Sequence, residues 1–121
     1  MVDDMRQALE NASVGWGETG SIQLPSGLEY RAGGPVLIEI RKRGRRYDLS
    51  DEGAAVREAG VSGWLPVAEA LVAEEGFNVN RRGVVFVPAV EGRDLATLAV
   101  RLAATSLAVY QELLGSRPGV I

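Results

Sequence analysis

The chain has no cysteine and no histidine among its 121 residues. Without cysteine there is no disulfide and no thiolate for zinc. Without histidine the commonest general base and the commonest metal ligand are gone. Every Ser-His or Cys-His nucleophile mechanism goes with them. Long apolar runs are missing too. The best candidate, Leu98 to Tyr110, is broken by Arg101, Thr105 and Ser106, well short of the ~18 apolar residues that span a bilayer. The first ten residues, MVDDMRQALE, are acidic and have no apolar centre, unlike a signal peptide. No linker, repeat or low-complexity stretch is visible. These absences point to one globular domain over 1–121, with 116–121 as a short tail, and are consistent with a cytoplasmic setting.

What is present centres on Pro35 to Gly53, PVLIEIRKRGRRYDLSDEG. Val36, Ile38 and Ile40 alternate with Leu37, Glu39 and Arg41, the period of a strand. Gly44 suits a tight turn. Tyr47 and Leu49 then alternate with Asp48 and Ser50 as a returning strand. Ser50 reads as an N-cap, with Asp51 and Glu52 in the first turn of a helix over 51–59. Gly60 marks its end.

Before this stretch, Met5, Ala8 and Leu9 share one face of a helix over 2–11. Gly15–Gly20 reads as a loop. Residues 21–24 read as a short strand or part of a bent edge, and 28–31 as another short strand after a Pro25-Ser26-Gly27 turn. After it, a helix runs from Trp64 to about Glu75, with Pro66 tolerated in its first turn. Residues 77–80 and 84–87 form a second hairpin around Arg81-Arg82-Gly83. A long helix over 91–114 carries Leu95, Leu98, Leu102, Val109 and Leu113 as a stripe. The expected fold is α+β: an antiparallel sheet of about five strands, helices on one face, and a long C-terminal helix as backing.

Charge is distributed unevenly. The 13 basic and 16 acidic residues give a net charge of −3. Five of the basic residues, Arg41, Lys42, Arg43, Arg45 and Arg46, fall within six positions. The rest of the chain keeps eight basic against 16 acidic residues, a net of −8. A basic turn on an acidic body suits one local contact with an anionic partner, either nucleic acid or an acidic protein surface. Arg81 and Arg82 join that contact if both hairpin turns lie on one side. The plainer account is a solvated turn whose charges discourage edge-to-edge pairing.

Other chemistry finds less support. Gly15 and Gly20-Ser21 have the glycine spacing of a phosphate loop, but the lysine is missing and no strand precedes them. Glu39, Asp48 and Asp51 are the carboxylates a metal nuclease would draw on. Lys42 lies three residues after Glu39 and therefore on the opposite strand face. Trp64 reads as core, whereas Trp16 is open to either role. The sequence thus names no catalytic residue, metal site or cofactor.

Tyr47-Asp48-Leu49-Ser50-Asp51-Glu52-Gly53 resembles the L-[ST]-D-[DE]-G strand-to-helix motif of a phage- and mobile-element-associated bacterial family of unknown function. In that family an I-x-I strand precedes the motif, here Ile38-Glu39-Ile40. A Gly-x6-Gly hairpin follows, here Gly76 to Gly83, and a long helix closes the domain. The resemblance spans about residues 20–114. It implies a cytoplasmic bacterial or phage protein acting near defence or mobile-DNA systems, and it supplies no catalytic residues. The basic turn at 41–46 is this chain's own departure.

The functional expectation is a non-enzymatic binding protein that works through the basic hairpin. The alternative is a homodimer formed through residues 95–114. A metal-dependent nuclease is a third reading. No membrane contact is expected.

Overall fold

The computed structural model describes residues 2–11, 20–31 and 34–115. The alternation at Val36, Ile38 and Ile40 builds strand β2 (Gly34–Arg43), whose three apolar side chains are fully buried. Leu37, on the opposite face, is the one large exposed hydrophobic residue among those described. Strand β1 (Ser21–Tyr30) pairs with β2, and β3 (Arg46–Ser50) pairs on its other side. Strand β5 (Val85–Glu91) inserts between β3 and the short edge strand β4 (Asn78–Val79). The order is β1-β2-β3-β5-β4, with every pairing antiparallel.

Among the described residues there are also four α-helices: α1 (Val2–Asn11), α2 (Ala54–Ala59), α3 (Leu65–Glu74) and α4 (Leu95–Gly115). A 3-10 turn over Gly92–Asp94 leads into α4. The apolar stripe of α4 is wide enough to be wrapped on several sides. It packs on β1, β2, β3 and β5 and also touches α1, α2 and α3. Leu95, Ala99, Leu102, Ala103, Val109, Tyr110 and Leu113 are buried there, while Leu98, Leu107 and Leu114 are half-buried. Much of the surface expected to be free for a second subunit is therefore the core of this one.

Four local expectations need correction. Residues 21–30 form one strand, not two. The register shifts between Pro25 and Glu29, so the Pro-Ser-Gly segment makes a bulge that the edge position tolerates. Helix α2 starts at Ala54, not Asp51, because Glu52 and Gly53 both take positive φ, 56° and 80°. Strand β5 continues to Glu91 through a second bulge, where Ala89 has φ 58°. The long helix accordingly begins at Leu95 instead of 91. Trp64 packs half-buried against the core. Trp16 and the tail at 116–121 lie outside the described residues.

Candidate functional site

Gly44 and Arg45 alone form the β2–β3 turn, since pairing runs out to Arg43 and Arg46. Gly44 sits at the first central position with φ 63°, which suits a two-residue hairpin turn. Arg41, Lys42, Arg43 and Arg46 are therefore strand residues, and the pleat divides them. Arg41, Arg43 and Arg46 share the open face of the sheet with Glu39 and Asp48, whereas Lys42 lies on the helix face opposite Tyr47. The tip is no projecting ribbon. Ser21 of β1 reaches Arg41, and Glu91 of β5 reaches Arg46. Lys42 is covered too, its N–H donating to the Gly20 carbonyl at 2.6 Å, so among the described residues only Arg43–Arg45 stands beyond its neighbours.

The three open-face arginines have carboxylate partners of unequal strength. Arg43 meets Asp48 in a two-pronged contact, Nε to Oδ2 at 2.9 Å and Nη2 to Oδ1 at 3.0 Å. Asp48 also accepts the Ala89 N–H at 3.0 Å, which fixes the β5 bulge. The Arg43 hydrogen bonds hold the Asp48 carboxyl below its usual range, and Asp48 in turn raises the Arg43 guanidinium. Arg41 lies 3.7 Å from Glu39, and Arg46 lies 3.6 Å from Glu91. Those distances in an exposed setting are worth little, about 0–1 kcal/mol each. Lys42 and Arg45 are exposed and enter no ion pair among the described residues. Arg93 adds a cation that sequence reasoning missed. It lies on the 3-10 turn, 2.9 Å from Glu91, at the same end of the sheet.

Arg81 and Arg82 are elsewhere. Strand β5 runs antiparallel to β3, with Glu91 beside Arg46 and Phe86 beside Ser50. The β4–β5 turn therefore lies at the other end of the sheet, roughly 20 Å away at ~3.3 Å per residue. Asn80 Oδ1 accepts the Arg82 and Val84 N–H groups there. The adjoining Gly83 packs against Val56 so closely that a Cβ would lie 2.9 Å from the valine Cβ. The seven basic residues form two separate groups, and only the β2–β3 end is dense.

The carboxylates named for a nuclease are committed separately. Glu39 reaches Arg41 and shares a hydrogen bond with Glu52, which raises the Glu39 carboxyl above its usual range. Glu52 also accepts from Gln23 Nε2 at 2.5 Å. Asp51, expected in the first turn of a helix, is almost fully buried. Its Oδ1 accepts the Gly53 and Val85 N–H groups at 2.8 and 2.9 Å. Its Oδ2 accepts the Ser106 hydroxyl at 2.7 Å. Ser106 thereby accepts from Tyr30, also at 2.7 Å. Burial raises Asp51 despite these bonds and pushes Tyr30 to about 12. This chain of hydrogen bonds ties β1, α4, β5 and the entry to α2 together. Two signals for it stood in the sequence. Asp followed two residues later by Gly suits a turn closed by the aspartate side chain. Ser106 falls between Leu102 and Val109 on the apolar stripe, where a polar group requires a partner.

Among the described residues no group of three or more acidic side chains is arranged to hold a metal ion. No described helix is long and apolar enough to cross a membrane. Comparison of the chain with protein-family models, curated proteins and solved structures gives no match in any of the three.

Proposed function

We propose that the protein is a non-enzymatic nucleic-acid-binding protein whose contact is the β2–β3 end of the sheet. The observation that carries this reading is the pair of exposed cations Lys42 and Arg45, without ion-pair partners among the described residues, set among three exposed arginines at one end of the sheet. These two supply the first phosphate contacts. Arg41 and Arg46 follow, because their long carboxylate contacts, 3.7 and 3.6 Å, exchange for phosphate at small cost. Arg43 stays with Asp48, since releasing it would also disturb the bulge at Ala89. Nucleic acid suits the site better than an acidic protein patch because five exposed cations are clustered around one turn with little apolar surface to fill. The resemblance of Tyr47–Gly53 to the phage-associated family favours a setting in phage, defence or mobile-DNA complexes.

Three or four phosphate contacts predict a logarithmic salt slope of about −3 to −4 on a duplex. Fluorescence anisotropy with a labelled 16-base-pair duplex, titrated across salt, measures it. A slope near zero, or no binding at low salt, overturns the reading. Equal binding to polyglutamate would move it to an acidic protein partner. Self-association through residues 95–114 is the competing proposal, with half-buried Leu98, Leu107 and Leu114 as its remaining apolar surface. Light scattering on the protein alone tests it: a salt-insensitive dimer supports it and a monomer removes it.

A further inference from the structure

We infer that the cleft beneath the hairpin, on the helix face of the sheet, takes an unpaired base of a single-stranded nucleic acid; this rests on the nucleic-acid reading of the hairpin. The cleft has a volume of about 390 Å³ and lies between α1, Tyr47 and the 3-10 turn before α4. That size falls within the range of small-ligand sites, ~300–1,000 Å³. Leu9 and Leu95 give it apolar walls, and Tyr47 contributes a half-buried ring.

Its charged residues are mixed. Arg6 and Arg93 line it, and so does Glu10. Among the described residues Arg6 makes only a 3.5 Å contact with the exposed Asp3, and Arg93 is held by Glu91. A phosphate inside the cleft would meet the Glu10 carboxylate. A neutral base meets complementary groups instead: arginine N–H donors for its carbonyls and a carboxylate acceptor for its amino groups. The phosphates then lie outside, at Lys42, which faces the same side of the sheet beside Tyr47. A duplex keeps its bases stacked and cannot place one here, whereas a single strand can splay a base onto an aromatic side chain.

Gly92 makes the cleft testable without altering charge. Its φ is not in the left-handed region, and a Cβ there would sit 3.7 Å from Tyr47 Cε2, in ordinary contact. Gly92→Leu therefore adds a side chain to the cleft wall beside Tyr47. The experiment measures anisotropy for one labelled 12-mer, as a single strand and as a duplex, with four proteins: wild type, Gly92→Leu, Tyr47→Ala and Lys42→Glu/Arg45→Glu. Circular dichroism checks the fold of each, and Gly92→Leu decides if Tyr47→Ala fails to fold. The expected result is about a tenfold loss of single-strand affinity in both cleft variants, the worth of one stacked base, with duplex affinity unchanged. The charge-reversed variant loses both. If the cleft variants bind the single strand like wild type, or lose single strand and duplex alike, the cleft inference is overturned and the hairpin reading stands. If wild type binds neither, both fail.

Discussion

Replacing Asp51 tests the buried hydrogen-bond chain that joins the sheet to α4. Asp51→Ala strips acceptors from three donors at once: the Gly53 and Val85 N–H groups and the Ser106 hydroxyl. The site is almost fully buried, so water cannot replace them freely. A buried donor left without a partner costs about 1–3 kcal/mol. Turning the Ser106 hydroxyl toward Tyr30 only moves the stranded hydrogen to the Tyr30 hydroxyl, so three donors lose their acceptor and the loss should be about 3–5 kcal/mol. Asp51→Asn keeps Oδ1 for the two N–H groups and offers an amide donor to Ser106 Oγ. It also removes a carboxyl that burial already pushes toward its neutral form. Its cost should be about 1–2 kcal/mol.

Urea unfolding of both variants at pH 7 measures the difference. Tyr30→Phe and Ser106→Ala complete a double-mutant cycle, and the double variant should lose less than the sum of its parts because the two groups share one bond. If Asp51→Ala and Asp51→Asn cost the same, or if Asp51→Ala costs under about 1 kcal/mol, the bonds described do not hold the fold.

Other consequences are local. The Glu39 carboxyl is raised above its ordinary value of 4.5, so its stabilising contribution is complete below pH 4.5 and is lost as pH rises through its folded value. Glu39→Gln, permanently neutral, should therefore gain in Tm relative to wild type as pH rises from 4 to 7; a constant difference would refute the shared-proton geometry. Ala89 pays for its positive φ of 58° with no glycine to ease it, so Ala89→Gly should stabilise the protein by up to about 1 kcal/mol in urea unfolding, provided the bulge is as described. Gly83→Ala should do the opposite, losing about 2 kcal/mol or more. Its Cβ would meet Val56 at 2.9 Å and its φ of 82° disfavours a side chain.

The sheet and the long helix were legible because one periodicity dominates each. Val36, Ile38 and Ile40 repeat at two, and the stripe of α4 repeats at three and four. Positions where backbone conformation departs from the regular pattern were not. Nothing local in Pro25-Ser26-Gly27 separates a turn from a bulge, and only the pairing with β2 decides it. Ser50-Asp51-Glu52 has the composition of a helix start. Asp51 is instead drawn inward by Val85 and Ser106, partners 34 and 55 residues away. The basic cluster was visible by composition alone. Its geometry was not, because the separation of Arg81 and Arg82 from it follows from β5 pairing with β3, a non-local choice. For the same reason Arg93 joins the hairpin end although it is remote in sequence.

The position of charge, not its amount, is the central claim. Lys42→Glu/Arg45→Glu and Arg81→Glu/Arg82→Glu change the net charge equally, at opposite ends of the sheet. Duplex affinity of the two variants, measured side by side by anisotropy at low salt, separates a site from a diffuse field. The Lys42/Arg45 variant should lose binding by at least a hundredfold, while the Arg81/Arg82 variant should stay within about threefold of wild type. Equal losses in the two would contradict a binding site at the β2–β3 end.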